Sequence, residues 1–345
     1  MKNRKALFIV FFIFTLHSFS QEFSTPVDYL SYISKEQQDI TKNMWKYTKS
    51  IAHSKSARKI DATRKNLIKS IQSAKKNISN LKEGYKGDVE YKDEVINYLS
   101  FSENMVSQDY SKIVDMQEVA EQSYDFMEAY IMTKDLVNKK MADEYDKVTV
   151  AQKSFALKYH ISLQDSESDL AKKMKLSNEV FQYQNEIYLI FFKCNITDVL
   201  LSTSVQNKDI AAIQQNASSL MAYTEEGLNK LKTIAAYKND NSLKSNTIKT
   251  LEIYKKVGEE YAPKVIDFYM FNTKFEETKT AMDRKSAKER TKEDVDNFNK
   301  IVKEVNTKIN DFNALNINFI NEKNKSIMEW NNTSEKFISK HVPND

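Results

Sequence analysis

From Leu30 onward the chain places an apolar or core-compatible residue every three or four positions: Leu30, Ile33, Gln37, Ile40, Met44, Tyr47 and Ile51. Steps of three and four mark one face of a helix, with the near-3.5 period of bundle and coiled-coil seams. Ser24-Thr25-Pro26 supplies a cap with proline at the first helical position, and Asp28 lies in the first turn, where a carboxylate faces the positive end of the helix. A second seam follows in Ile60, Arg64, Leu67, Ile71, Ala74, Ile78 and Leu81, and Gly84-Tyr85-Lys86-Gly87-Asp88 ends it with turn chemistry.

The same pattern returns later in the chain. Shifted by 150, the first seam becomes Val180, Tyr183, Ile187, Ile190, Cys194, Thr197 and Leu201, and the second becomes Ile210, Gln214, Ala217, Met221, Thr224, Leu228 and Leu231. A third helix fits at 152, pairing Lys92, Ile96 and Leu99 with Lys244, Ile248 and Leu251. The last long helix fits at 157, where Met141, Tyr145, Val148, Gln152, Phe155 and Tyr159 face Phe298, Val302, Val305, Ile309, Phe312 and Asn316. One shift serving two consecutive helices and the gap between them predicts an internal repeat. The expected fold is all-α: two tandem, internally duplicated four-helix-bundle-like units with long antiparallel helices, unit 1 over 21–165 and unit 2 over 166–328. Trp330-Asn331-Asn332-Thr333 is expected to break the last helix, leaving 329–345 as a tail. Asp109 and Pro263 mark a break after the third helix of each unit, because proline has no N–H to continue the ladder. The charge run Arg284–Asp294 reads as an exposed linker helix, with a specific acidic or basic docking surface as the alternative.

Composition strengthens the helical reading. Four Gly and three Pro in 345 residues are far below average usage, so sharp turns are few and elements are long. With so few glycines there is no phosphate-cradling or dinucleotide-binding loop, and no Gly-x-Ser-x-Gly nucleophile elbow.

The N-terminus changes the picture by naming a compartment. Lys2, Arg4 and Lys5 precede the apolar run Ala6 to Phe14, and Ser18-Phe19-Ser20 offers small residues for cleavage before Gln21. Residues 1–20 are therefore read as a signal peptide, with export to the periplasm, the cell surface or the medium. The run is shorter than the about 20 residues of a membrane span, and no later stretch reaches that length free of charges, so no integral span is expected after cleavage. Removing the leader takes the formal charge from +4 to about +1, which gives no long-range field for nucleic acid or anionic lipid. Cys194 is the single cysteine, so no internal disulfide forms and the core rests on apolar packing.

Chemistry is sparse. His53, His160 and His341 lie far apart, none with a Glu three residues before it, so the Glu-x-x-His and His-Glu-x-x-His signatures are absent. His53 reads as a helix-end cation and Cys194 as an inert core thiol. No catalytic residue, metal ligand or cofactor site is assigned. The one stretch open to a functional reading is Ile187-Tyr188-Leu189-Ile190-Phe191-Phe192, apolar all round. It is a helix buried on several sides, a concealed membrane-active segment, or a partner surface built from Ile187, Leu189, Ile190, Phe191 and Phe192.

The leader, the repeated helical units, and segments such as Tyr32-Ile33-Ser34-Lys35-Glu36-Gln37 and Ala151-Gln152-Lys153-Ser154-Phe155-Ala156 resemble an uncharacterised bacterial exported surface-protein family of the spirochaete and Bacteroidetes type. The resemblance implies export and a surface location, and brings no catalytic residues. The expected function is a non-enzymatic scaffold or interaction protein whose partner is another protein or a cell-envelope component. The alternatives are a membrane-active, pore-forming-like helical protein and a binder of a small ligand in a bundle core.

Overall fold

The computed structural model describes residues 23–109, 119–164 and 168–344; the leader 1–20 and the cleavage point before Gln21 lie outside the described residues. Helix accounts for 84% of the structure and no strand forms among the described residues, so the class is all-α. The elements are α1 (Pro26–His53), α2 (Ala57–Ser79), α3 (Glu90–Asn104), α4 (Tyr124–Lys158), α5 (Asp169–Gln206), α6 (Ile210–Thr233), α7 (Ser242–Lys256), α8 (Ala262–Asp283) and α9 (Lys292–His341). Short π-helical segments, Met105–Asp109 and Val257–Tyr261, follow α3 and α7. Local chemistry sets the starts. Thr25 and Asp28 form a reciprocal capping box ahead of Pro26, and Thr291 and Asp294 do the same for α9. Ser56, Ser123, Ser168 and Asp209 accept from backbone N–H groups at the starts of α2, α4, α5 and α6. Pro263 falls at the second residue of α8, just after the π-helical turn, so the missing N–H coincides with a place where the ladder has already changed register.

The apolar seams fill two main cores. The first holds Tyr29, Ile33, Leu67, Ile71, Ile78, Val95, Leu99 and Phe155 from α1–α4. The second holds Ile187, Phe191, Cys194, Leu201, Leu220, Leu251, Tyr254, Trp330 and Phe337 from α5, α6, α7 and α9. A small third cluster, with Met127, Tyr130, Ile131 and Phe192, joins the start of α4 to α5. Trp45 of α1 is buried in the second core, and Lys49 Nζ donates to the Asn344 carbonyl at 2.8 Å.

Contacts recur between the halves in matching form. The loop after α2 closes with a bridge between Tyr85 and Asp88; the loop after α6 closes with one between Tyr237 and Asp240. Each turns through two left-handed residues, Lys86 and Gly87 in one and Lys238 and Asn239 in the other. Lys92 donates to the Lys82 carbonyl, and Lys244 to the Ile234 carbonyl. Tyr85 packs on Tyr29, Phe155 and Tyr159, while Tyr237 packs on Tyr183, Phe337 and His341. Lys158 Nζ meets Asp88 Oδ2 at 2.7 Å, and Lys340 Nζ meets Asp240 Oδ2 at 2.7 Å.

These contacts correct the register read from the seams. Tyr29 resembles Tyr183, 154 residues on, in its ring contact with a phenylalanine, and Leu67, Ile71 and Ile78 are as buried as Leu220, Thr224 and Leu231, 153 residues on. These spacings differ from the expected shift of 150 by about one helical turn. Lys92 and Lys244, which make similar bonds, stand at the expected 152. In the last helices, Phe155 and Lys158 resemble Phe337 and Lys340 in their contacts, a spacing of 182 rather than the expected 157. Phe312, the expected counterpart of Phe155, instead stacks on Phe268 at 4.2 Å in a two-helix hairpin made by α8 and the first part of α9. The turn of that hairpin, from Arg284 to Thr291, is exposed as expected for the charge run, but it is not the linker helix expected there.

The expected break at Trp330-Asn331-Asn332-Thr333 does not occur. Helix α9 runs through it to His341, and Trp330 and Phe337 are 3% and 1% exposed. Asparagine weakens a helix only slightly, and burial of both aromatic side chains overrides that preference.

At the end of α9, burial would raise the Asp240 carboxyl, but hydrogen bonds from Lys340, Ser242 and His341 outweigh it and hold the group well below the usual carboxylate range. A folded-state value below the unfolded 3.8 means that this stabilisation is complete at neutral pH and fades as acid protonates the folded carboxylate. Thermal unfolding followed between about pH 6 and pH 2 should therefore show a steep acid limb in the wild type and a shallower one in Asp240→Asn.

Candidate functional site

The all-apolar stretch is mainly interior. Ile187, Phe191 and Phe192 are 0%, 4% and 5% exposed. Phe191 stacks face to face on Trp330 with centroids 4.0 Å apart, and Phe192 stacks on Tyr188 in the small cluster beneath the start of α4. These three therefore do not form an open surface. Ile187 and Phe191 share the face turned to the second core, and Phe192 faces the small cluster. Leu189 and Ile190 are only half-buried, and both line a cavity of about 300 Å³ between the start of α4, α5 and α6. Helix α5 also carries a window long and apolar enough to cross a membrane by length and composition, though it is not free of charges, and half of that window is buried inside the protein.

The cavity is a groove between the halves, with α4 on one side and α5 and α6 on the other. At its centre stands Lys193, the residue that follows the apolar stretch. Its Nζ lies 5.1 Å from the centre of the Tyr124 ring and 4.4 Å from that of Tyr223. A cation between two aromatic faces is attracted by both ring quadrupoles. The same Nζ donates to Glu226 Oε2 at 2.8 Å, and Lys230 donates to Glu226 Oε1 at 2.6 Å. These two bonds, Lys193 first, hold the Glu226 carboxyl below its ordinary range. The Tyr124 hydroxyl donates to Glu128 at 2.8 Å; burial first, and that bond next, push its phenol well above the usual value. Gly227 lets α6 approach α5 closely here, since a Cβ would sit 2.9 Å from Ile190 Cγ2 and 2.7 Å from Leu251 Cδ2.

The groove therefore presents two aromatic faces, two lysines and several carboxylates around a half-open space. That set suits recognition by stacking, hydrogen bonding and charge. Elsewhere, Cys194 is fully enclosed and burial pushes its thiol up to about 12, so it is a core residue. His53 is the last residue of α1, as its sequence position implied, with Nε2 3.3 Å from the Pro343 carbonyl. Among the described residues no three His, Cys, Asp or Glu side chains gather where they could hold a metal ion. The groove residues Tyr124, Lys193, Tyr223 and Glu226 left no local signal in the sequence, because they come from three separate helices and Tyr223 and Glu226 make an ordinary i, i+3 pair on α6.

No family model matches the chain, and neither a curated protein nor a solved structure matches it.

Proposed function

We propose that the chain is an exported, non-enzymatic interaction protein of the periplasm or cell surface, built as a tandem duplication of a four-helix unit, whose partner docks at the groove around Lys193. The observation that carries this reading is the convergence of Tyr124 from one half with Lys193, Tyr223 and Glu226 from the other on one half-open space. Aromatic rings and paired charges around a concave space are the usual anchors of a recognition surface. Duplication is supported by the matched loop bridges, ring contacts and ion pairs of the two halves, and export by the leader Lys2 to Ser20.

The test is made in the native cell. The mature protein should be recovered outside the cytoplasm with Gln21 at or near its N-terminus. A photo-crosslinking residue at position 230, on the groove rim, should give a defined adduct with an envelope component. One at position 303, on the exposed face of α9, should not. Lys193→Glu should lower the yield from position 230 several-fold. Equal yields from 230 and 303 would remove the groove from the account, and intact Met1 in the cytoplasm would remove export.

A further inference from the structure

Helix α5 carries a second polar feature on the far side of the second core. Asp198, Ser202 and Gln206 stand four residues apart and so share one face of α5. They border a cavity of about 130 Å³ closed by the π-helical segment Val257–Tyr261 and by α9. Lys323 of α9 reaches in, donating to Asp198 Oδ2 at 2.8 Å and to Ser202 Oγ at 3.1 Å. Both charged side chains are well covered, Asp198 at 4% exposed and Lys323 at 15%. The Tyr261 hydroxyl donates to Asn316 Oδ1 at 2.7 Å on the same wall. The second carboxylate oxygen, Asp198 Oδ1, is buried and has no hydrogen-bond partner.

A buried pair of this kind is not what the fold alone requires. Burying an ion pair rarely stabilises a protein relative to apolar side chains of similar size, because desolvation offsets the attraction. The first half supplies the comparison. At the offsets fixed by the ring contacts and ion pairs, 154 for α5 and 182 for α9, the positions of Asp198 and Lys323 are held by Met44 and Met141. Neither of those positions carries a charge, so the first half has no counterpart of this pair. The π-helical turn beside it is also a feature concentrated at functional sites.

We propose that this cavity is a binding site for a small neutral molecule with a ring-sized apolar body and one O–H or N–H donor, which donates to Asp198 Oδ1. The charge follows from the site: Lys323 already neutralises Asp198, so an added full charge would be buried without compensation. The size follows from the cavity, since a space of about 150 Å³ takes one benzene ring. Leu201, Val205, Val257 and Phe319 supply the apolar wall, and Ile320, 41% exposed, stands at the rim. This inference is independent of the groove around Lys193.

Phenol is the probe and benzene its donorless control, each titrated against the full mature chain by calorimetry and ligand-observed nuclear magnetic resonance. Phenol should bind saturably, with an affinity in about the millimolar range or tighter, and benzene about tenfold or more weaker, because it leaves the carboxylate oxygen unpaired. The double variant Asp198→Met/Lys323→Met should fold, as judged by its unfolding transition, and should lose phenol binding. Ile320→Trp, which keeps the charge pair and fills the mouth from an exposed position, should lose it as well. The proposal is overturned by absence of saturable phenol binding to the wild type, by benzene binding as tightly as phenol, or by unchanged phenol binding in both variants.

Discussion

Trp330→Ala is expected to destabilise the second half by about 3–5 kcal/mol, the range for truncating a large buried aromatic side chain. The indole lies face to face on Phe191 with centroids 4.0 Å apart and also contacts Tyr188. Its Nε1 donates to Thr247 Oγ1 at 2.8 Å, and the neighbouring Ser326 donates to Thr250 at 2.9 Å. These bonds tie α9 to α7 inside the core. Truncation would remove ring contacts on one side and a buried hydrogen bond on the other, leaving a cavity that three long helices cannot easily collapse. Chemical denaturation should show a lower midpoint with an unchanged slope. Phe191→Ala removes the other half of the stack, so the two losses should be less than additive in the double variant. A membrane-active α5 would behave differently: Phe191→Ala would leave the midpoint nearly unchanged and would instead alter dye leakage from vesicles.

Lys323→Met is expected to have a comparable effect by a different route. It leaves the Asp198 carboxylate, with a side chain only 4% exposed, without its cation, and breaking a buried pair from one side costs about 3–5 kcal/mol. Burial already pushes the Asp198 carboxyl up against the opposing pull of Lys323. Without the lysine the folded-state value rises further above the unfolded one, so the destabilisation is greatest at neutral pH and shrinks as acid supplies the missing proton. Asp198→Met/Lys323→Met should recover the loss and equal or exceed the wild type by about 1–4 kcal/mol. Urea unfolding at pH 7 and at pH 5 for the wild type, the single variant and the double variant distinguishes these cases. A single variant as stable as the wild type at pH 7 would mean that water solvates Asp198 and that the pair is not a buried one.

Much of the helical frame was legible in the sequence, and the physical reason is clear. Seams such as Ile33–Ile40–Tyr47 and Leu67–Ile71–Ile78 repeat at helical spacing, caps such as Thr25 and Thr291 are local, and a Gly-rich turn at Gly84–Asp88 needs no tertiary information. Register was not legible from those seams. A pattern that repeats every three or four residues matches itself after one turn, so 150 and 154 score alike for α1 against α5. The loop contacts Tyr85–Asp88 and Tyr237–Asp240 separate them. The reading of Trp330–Thr333 as a helix break failed because polar asparagines were weighed without the burial of Trp330 and Phe337 that outweighs them. Both candidate sites escaped for a related reason. Lys193 and Asp198 look like ordinary solvated charges on α5, and their partners Tyr124, Glu226 and Lys323 come from other helices.

The end of α9 closes the second core. A chain ending at residue 329 tests that directly, by thermal unfolding followed by circular dichroism. Removing Trp330, Phe337, Lys340 and His341 takes away the stack on Phe191, the ring contacts on Tyr237 and the ion pair to Asp240. The shortened chain should lose the cooperative transition of the second half and much of its helical signal at room temperature. An unchanged midpoint and an unchanged helical signal per residue would show that residues 330–345 are a dispensable tail, and would contradict the account.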